Sequence, residues 1–272
     1  MPSVSVIMTV YNTDDQVLRR AITSILGQSL KDIELIVVDD ASVNNAFDVI
    51  SCIAEHDDRL RVIRNTTNMK AAHSRNQCIL ASRANYVAIM DADDECSPER
   101  LQVQKEFLDS RPQFDFVGTA AWLFDEQGVW GQRTCPTQPL KSDFLFVLPF
   151  VHASLMFRKQ ALMAVGNYRV TKVTRRMEDY ELLMRMYASG SRGANLQRPL
   201  YSMREDEAAL RRRKYAYRLD EVRVRYSGFI QLGLMPRGMP YVLKPLVVGL
   251  IPSRMLSWMK DIYYSRRHVS GL

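Results

Sequence analysis

The chain has 272 residues, 47% of them hydrophobic, which is enough to bury the core of one large domain or of one domain with a smaller appendage. The cysteines Cys52, Cys78, Cys96 and Cys135 lack C-x-x-C spacing, which argues against a disulfide framework and against a zinc site. The N-terminal segment MPSVSVIMTVYN has no basic region before its apolar residues, so we expect neither a secretory signal nor a membrane anchor, and we predict a cytoplasmic protein.

The formal net charge is +7, and the positive excess lies in the last quarter of the chain. Residues 1–204 contain 24 Lys and Arg against 24 Asp and Glu, whereas residues 205–272 contain 13 against 6. A localised basic surface suits an anionic partner such as membrane headgroups, nucleic acid or polyphosphate. A solvated helix face explains the same pattern nearly as well.

The first hundred residues alternate short apolar runs with segments of helical periodicity. We predict buried strands at residues 4–9, 33–39, 60–64 and 86–91, and helices near residues 15–27, 45–56 and 70–82. Repeated units of strand, helix and strand predict a mostly parallel sheet covered by helices on both faces. Ligands of such sheets bind at the carboxyl ends of the strands, and polar residues follow each of the four predicted strands.

In the second hundred residues the predicted helices and strands alternate less regularly. We predict a helix from Pro98 to about residue 110, strands near residues 115–124, 130–135 and 154–158, and a helix at about residues 175–189. Beyond Tyr201 the sequence predicts a long basic helix at about residues 206–232, followed by an apolar stretch interrupted by proline.

Glycine-rich phosphate-binding loops are missing from the predicted strand ends. Only Gly27 precedes Gly118, so neither G-x-G-x-x-G nor a Walker loop is present. The run Asp91-Ala92-Asp93-Asp94 offers another way to neutralise a diphosphate, because two carboxylates at a strand end can hold Mg²⁺ or Mn²⁺. The same cluster could instead form a turn or cap the helix that follows it.

Five motifs lie in chain order within about residues 3–186: VSVIMTVYN, ELIVVDDAS, NMKAAHSRN, YVAIMDADD and RRMEDYELLMR. In order and spacing they resemble the family 2 glycosyltransferases with the GT-A fold, in particular the bacterial enzymes that build surface polysaccharides. The resemblance implies an α/β fold with a Rossmann-like, mostly parallel central sheet, flanking helices and a helical C-terminal extension. It also implies transfer of a sugar, with inversion, from a nucleoside diphosphate, first of all UDP, to an acceptor hydroxyl.

The resemblance assigns the donor site to the ends of the first two strands. Thr9 and Tyr11 would lie beside the pyrimidine, Asp40 would lie on its polar edge, and Asp39 would support them. Lys70 stands where the family usually has glycine, and we expect it, with Arg75, to approach the donor diphosphate.

The resemblance also implies the metal site and the general base. Asp93 would bind Mn²⁺ or Mg²⁺ directly, and Asp91 would reach the ribose or the metal. Asp179 would accept the proton of the acceptor hydroxyl. Glu178 and His152 are candidates for contact with the acceptor or the diphosphate. Each of these residues could alternatively have a purely structural role.

Three other functions fit the sequence less well than glycosyl transfer. A sugar nucleotidyltransferase would have a glycine-rich loop with arginine after the first strand, where this chain has Thr9-Val10-Tyr11-Asn12. A non-catalytic nucleotide-sugar-binding protein would lack Asp93 or Asp179, and both are present. The basic run at residues 211–214 has no interleaved aromatic residues and matches no nucleic-acid-binding motif, so we expect no nucleic acid partner.

We therefore divide the chain into a catalytic domain, residues 1–204, and a basic helical extension, residues 205–272. The catalytic domain would have a nucleotide-sugar half, residues 1–97, and an acceptor half, residues 98–204. The apolar run at residues 242–252 is shorter than the about 20 apolar residues that span a bilayer.

This run could instead lie at the inner face of the cytoplasmic membrane, which would suit a lipid-linked sugar acceptor better than a free one. Its flanking basic and aromatic residues are Lys244, Arg254, Trp258, Lys260, Tyr263, Tyr264, Arg266 and Arg267. Alternatively, it packs against the catalytic domain or against a second subunit of a homo-oligomer.

Overall fold

The computed structural model describes residues 1–205 and 215–249. Nine strands in this part of the chain form one mixed sheet, in the order β3-β2-β1-β4-β8-β6-β9-β5, with β7 paired to β6. The strands are β1 (Val4–Val10), β2 (Ile33–Asp39), β3 (Leu60–Arg64), β4 (Tyr86–Asp91), β5 (Glu95–Cys96), β6 (Phe116–Asp125), β7 (Gly128–Arg133), β8 (Met156–Arg158) and β9 (Gly193–Arg204).

The first four strands are parallel, as predicted, and their bounds agree with the sequence pattern to within one residue. Thr9 of β1 lies opposite Val38 of β2 and Asp91 of β4, so these three strands end at the same level. The polar residues that follow them therefore meet at one edge of the sheet. Beyond β4 the sheet continues with β8, which is antiparallel to both β4 and β6, and then with β9, which is parallel to β6.

The described residues contain eight α-helices. They are α1 (Asp15–Leu26), α2 (Ala46–Ala54), α3 (Ala71–Ala81), α4 (Arg100–Ser110), α5 (Lys159–Ala164), α6 (Glu178–Ala188), α7 (Ala216–Gln231) and α8 (Met239–Gly249). Asp14 caps α1 by accepting hydrogen bonds from the N–H groups of Gln16 and Val17, at 3.0 and 3.3 Å. The predicted helix at residues 206–232 begins at Ala216 in the described part, and residues 206–214 of that prediction lie outside it.

The sheet separates two hydrophobic cores. Val4, Val6 and Met8 of β1 point into the core that contains α1 and α2, whereas Ile7 packs on the opposite face with α3 and α6. Burying each such side chain contributes roughly 1.5–3 kcal/mol. Burial on both faces is the reason that the first strands are continuous apolar runs rather than alternating ones.

The described part of the C-terminal extension packs against the preceding domain. Val224 and Phe229 of α7 are buried in the core that contains α6, and Gly228 brings the α7 backbone against Met184. Arg225 donates to the carbonyl oxygen of Leu145 at 3.2 Å. Among the two described stretches, no helix is long and apolar enough to cross a bilayer.

Candidate active site

A cavity of about 700 Å³ opens at the carboxyl ends of β1, β2 and β4. Its lining includes eight of the residues that sequence analysis selected: Tyr11, Asp40, Lys70, Arg75, Asp91, His152, Glu178 and Asp179. Thr9, Asp39 and Asp93 are outside this lining. The cavity is thus built from both halves of the domain, and the fold brings most of the selected residues together.

Arg75 of α3 connects the two acidic motifs across the cavity. Its Nη2 lies 3.0 Å from Asp91 Oδ1, and its Nη1 lies 3.1 Å from Glu178 Oε1. Burial alone would lower the pKa of the Arg75 guanidinium, but the negative charges near it, first that of Asp91, raise the pKa above its ordinary value. Arg75 is therefore fully charged and joins the end of β4 to the start of α6.

Tyr168 packs beside this connection. Its ring lies 5.7 Å from the Arg75 guanidinium carbon, and its hydroxyl is hydrogen-bonded to His152 Nε2 at 2.8 Å. Asn76, the residue after Arg75, bonds the Tyr168 backbone twice, at 2.8 and 3.0 Å. Burial, and then the charge of Arg75, holds the pKa of His152 well below its ordinary range, so the imidazole is neutral at pH 7.

Glu178 and Asp179 begin α6 and are held in a mostly buried environment. Burial, together with the like charge of Asp179 and against the attraction of Arg75, raises the pKa of Glu178 to about 7. Burial also raises the pKa of Asp179, although the Tyr180 N–H and the charges of Arg75 and Arg133 oppose this shift. Asp179 Oδ1 accepts the Tyr180 N–H at 2.7 Å. Neither carboxyl is an ordinary exposed residue of a first helical turn.

Asp40 shapes the loop that precedes α3. Its Oδ1 accepts from Asn65 Nδ2 and the Met69 N–H, at 2.7 and 2.8 Å, and its Oδ2 accepts from the Lys70 N–H at 2.8 Å. Asp40 lines the cavity while making these bonds. It therefore fixes the loop that places Lys70, in addition to the predicted nucleoside contact.

Asp39 is fully buried beneath Asp40. Its Oδ1 accepts the Ser42 N–H at 3.3 Å, and its Oδ2 lies 3.3 Å from Arg64 Nε. The Asn12 N–H donates to Ser42 Oγ at 2.9 Å, which ties the loop after β1 to the loop after β2. These contacts fit the supporting role that the resemblance implies for Asp39.

The three aspartates after β4 have different surroundings. Asp91 lines the cavity, Asp93 is exposed, and Asp94 is buried. The Tyr201 hydroxyl donates to Asp94 Oδ2 at 2.7 Å, and the Arg204 N–H donates to Asp94 Oδ1 at 2.7 Å. Burial, and then the charges of Asp91 and Asp93, raises the pKa of Asp94 well above its ordinary value. Through these two hydrogen bonds Asp94 attaches the segment Asp91–Asp94 to β9.

The residues at the end of β4 fit a divalent cation that takes few protein ligands. No group of three His, Cys, Asp or Glu side chains suited to a metal occurs within the described residues. Arg75 bonds Asp91 through Oδ1 only, which leaves Oδ2 available beside the exposed Asp93. Mg²⁺ and Mn²⁺ prefer oxygen ligands, and Mg²⁺ commonly binds one or two carboxylates with water and phosphate completing its shell.

Several residues that line the cavity from the second half of the domain and from α7 were not predicted from the sequence, among them Arg133, Arg175, Arg176, Met203 and Tyr217. Arg175 and Arg176 stand directly before Glu178 in the motif RRMEDYELLMR, so the motif itself carried a signal. Tyr217 comes from α7 and reaches the cavity only because α7 packs on α6.

Two glycosyltransferases are similar to the chain over nearly its whole length. The protein EpsE of Bacillus subtilis strain 168, named as a glycosyltransferase, is 38% identical over 257 residues, which are 94% of this chain and 92% of EpsE. The amylovoran biosynthesis glycosyltransferase AmsE of Erwinia amylovora is 26% identical, over 94% of this chain and 97% of AmsE.

Solved structures show the same GT-A fold at low sequence identity. S. aureus TarS 1–349 in complex with UDP-GlcNAc has a TM-score of 0.71 and 16% identity, over 96% of this chain and 79% of the TarS 1–349 chain. The mannosyltransferase PcManGT of Pyrobaculum calidifontis, in complex with GDP-Man and Mn²⁺, has a TM-score of 0.60 and 19% identity, over 96% of this chain and 80% of PcManGT.

The family profile described as Glycosyl transferase family 2 matches residues 5–220, which include the whole cavity lining and all of the five motifs except Val4. Because this match covers most of the chain, the chain belongs to glycosyl transferase family 2.

Proposed function

We propose that this glycosyltransferase moves a sugar from a UDP-sugar to an acceptor hydroxyl, with inversion and with Mn²⁺ or Mg²⁺. The observation that carries the proposal is the connection of Asp91 to Glu178 through Arg75, because it places the donor-side carboxylates and the pair Glu178–Asp179 in one cavity. The binding of UDP-GlcNAc and of UDP by the structural neighbour TarS supports uridine as the nucleoside.

The donor nucleotide lies at the end of the cavity formed by the first half of the domain. Tyr11, which is 50% exposed, offers a ring for stacking at the cavity wall, and Asp40 keeps a polar edge beside it. The Lys70 ammonium extends from the loop before α3 and attracts the diphosphate. Thr9 and Asp39 support this end from positions just behind the cavity lining.

Asp91 and Asp93 hold the metal in this proposal, with Asp93 as the direct ligand. A bound cation would screen the diphosphate charge and stabilise the diphosphate as the leaving group. Arg75 keeps Asp91 in place and contributes a second fixed positive charge within the cavity. His152 is neutral and buried, so its contribution is positional, through Tyr168.

Asp179 is the general base that takes the proton from the acceptor hydroxyl. Glu178 is engaged by Arg75, whereas Asp179 accepts one backbone N–H through Oδ1 and keeps Oδ2 for the acceptor. The raised pKa of Asp179 brings it nearer to neutral pH, where a general base is most effective. Direct displacement by the activated hydroxyl inverts the anomeric carbon and needs no covalent enzyme intermediate.

A peripheral site on the inner face of the cytoplasmic membrane completes the proposal. Met239, Leu243 and Val247 of α8 are 41%, 49% and 63% exposed and are spaced one turn apart, so they form one apolar face, here called the α8 stripe. Phe146, 53% exposed, has a ring contact with Tyr241, which lies on another face of α8. The stripe and the basic excess of residues 205–272 together suit an anionic lipid surface, where a lipid-linked acceptor would be found.

Mutation of the base tests the proposal. UDP release is measured from a panel of UDP-sugars with Mn²⁺ and a bacterial lipid extract as the source of acceptor. We expect Asp179→Asn to lower transfer by about 10²-fold or more, while its affinity for UDP stays within a few-fold of wild type. Asp58→Asn, an exposed aspartate outside the cavity, is the matched control. Equal loss of UDP affinity and transfer would assign Asp179 to the donor site instead.

A further inference from the structure

Three arginines on the acceptor side of the cavity have no carboxylate partner among the described residues. Arg133 ends β7, and Arg175 and Arg176 lie in the turn before α6; together they are called the arginine rim. Within the described residues, Arg133 donates a hydrogen bond to the Phe150 carbonyl oxygen at 3.5 Å, and the Arg176 guanidinium packs over the Tyr217 ring at 5.5 Å from its centroid.

The acidic residues of the same cavity do not neutralise the rim. Asp91 and Glu178 are paired with Arg75, and Asp40 accepts three hydrogen bonds from the loop before α3. The charge of Arg133 opposes the rise in the pKa of Asp179, but no ion pair joins the two side chains in the described residues. The rim is therefore a set of like charges that gains stability when an anion binds.

The position of the rim distinguishes it from the donor end. The donor end is formed by residues of the first half, such as Tyr11, Asn68 and Lys70. The rim comes from the second half and lines the same cavity as Asp179. Tyr217 of α7 lies against the rim, so the C-terminal extension completes this end of the cavity.

We propose that the arginine rim binds a phosphate or diphosphate group of the acceptor, so that the acceptor is a phosphate-bearing glycoside rather than a neutral sugar. The guanidinium group presents a planar fork of donors that matches phosphate oxygens, and such bonds are about twice as strong as neutral ones. Binding at the rim holds the acceptor hydroxyl beside Asp179. This inference rests on the proposed transferase function, and the diphosphate of the donor is the other source of the same chemistry.

The test measures the binding of hexyl phosphate to the full-length protein at low salt, with saturating UDP and Mn²⁺ to fill the donor site. We expect wild type to bind hexyl phosphate and not hexanol. Two variants are compared with wild type: the double variant Arg175→Gln, Arg176→Gln and the single variant Arg133→Gln. Each should lower the affinity for hexyl phosphate at least about tenfold and keep the affinity for UDP within twofold of wild type. Arg192→Gln, an exposed arginine outside the cavity, should change neither affinity.

Displacement of hexyl phosphate by UDP, or equal weakening of both ligands in the rim variants, would assign the rim to the donor and overturn the proposal. Wild-type protein that fails to bind hexyl phosphate, or rim variants that bind it normally, would also overturn it. UDP binding and hexyl phosphate binding are measured separately. The failure of UDP to bind wild type would therefore contradict the proposed function rather than the role of the rim. Arg175 and Arg176 are exposed, so their substitution should leave the unfolding temperature unchanged.

Discussion

The backbone N–H of Lys70 donates to Asp40 Oδ2 at 2.8 Å from a conformation, φ 75° and ψ 159°, that only glycine adopts readily. The bonds to Asp40 hold this conformation in place. A side chain there costs about 1–3 kcal/mol of backbone strain. This strain gives a physical reason for the glycine that is usual at this position in the family. From this strain we predict a function for the Lys70 side chain, which the variant below tests.

Lys70→Gly should therefore stabilise the protein and lower its affinity for UDP. We expect the free energy of unfolding to rise by about 1 kcal/mol, because relief of strain exceeds the added entropy of glycine in the unfolded chain. Loss of the ammonium should lower UDP affinity about tenfold, the scale of one hydrogen bond to a charged group, and should leave uridine affinity unchanged. Urea unfolding and calorimetric titration with the two ligands measure these effects.

Asn167→Gly is the control, because Asn167 also has a positive φ, 56°, and lies outside the cavity. Its stability should change little, since asparagine tolerates this left-handed conformation, and its UDP affinity should not change. A Lys70→Gly protein that is less stable than wild type would contradict the strain argument. Unchanged UDP affinity would remove Lys70 from the donor site.

The first half of the fold could be predicted from the sequence because local pattern and tertiary role agree there. Strands β1, β2 and β4 are buried on both faces, so an unbroken apolar run is sufficient to locate each of them. Strand β3 lies at the edge of the sheet, and only its first residue, Leu60, is buried. Parallel strands that end at one level also bring Asp40 and Asp91 to the same edge. For this reason most of the residues selected from the motifs meet in one cavity.

The remaining elements depend on contacts that the sequence does not show. Strand β9 carries Arg198 and Pro199, and its pairing with β6 shifts register there, so no regular pattern identifies it. Helix α8 contains Pro245, which would normally argue against a helix. The separation of Asp91, Asp93 and Asp94 into cavity, solvent and interior requires Tyr201, which is about a hundred residues away in the chain.

The stability of the protein should depend on pH through Glu178. Its pKa is about 7 in the folded state, against 4.5 for an ordinary glutamate, because burial favours the protonated form. The folded state thus binds a proton more tightly than the unfolded chain. This contribution is complete below pH 4.5 and is lost as the pH rises through 7, with a total of about 3 kcal/mol.

Glu178→Gln should remove this contribution, so that the free energy of unfolding falls less between pH 5 and pH 8 than it does in wild type. Urea unfolding at both pH values, for wild type and variant, measures the difference. Ionisable groups that do not interact with Glu178 are common to the two proteins, so their contributions cancel, whereas Arg75 and Asp179 interact with Glu178 and form part of the measured difference. Identical losses in wild type and Glu178→Gln would show that the Glu178 carboxyl is ionised throughout this range.

Metal dependence should appear in the binding of UDP. UDP with Mn²⁺ should raise the unfolding temperature, and UDP with a chelator should not, because Asp91 and the diphosphate otherwise repel each other. A ligand present at 100 times its dissociation constant stabilises by about 2.7 kcal/mol. Asp93→Asn should abolish most of this gain, whereas Asp58→Asn should keep it. UDP binding that is equally strong without metal would contradict the role of Asp93.

The α8 stripe predicts how the protein meets a membrane. Full-length protein should sediment with vesicles that contain anionic lipid and should remain in solution with neutral vesicles. High salt should release it, because each basic residue near an anionic surface contributes about 1 kcal/mol and salt screens that attraction. Part of the charge lies in residues 250–272, which are outside the described residues, so the full chain is needed.

The double variant Leu243→Gln, Val247→Gln tests the stripe itself, since both side chains are about half exposed or more and their substitution should not disturb the core. We expect weaker sedimentation with anionic vesicles and unchanged UDP affinity. Leu80→Gln is the control, because Leu80 is 68% exposed on α3, far from α8 in the chain and outside the cavity. Equal sedimentation of wild type and double variant would exclude the stripe from membrane contact. Equal binding to neutral and anionic vesicles would instead show that apolar insertion, rather than charge, holds the protein at the surface.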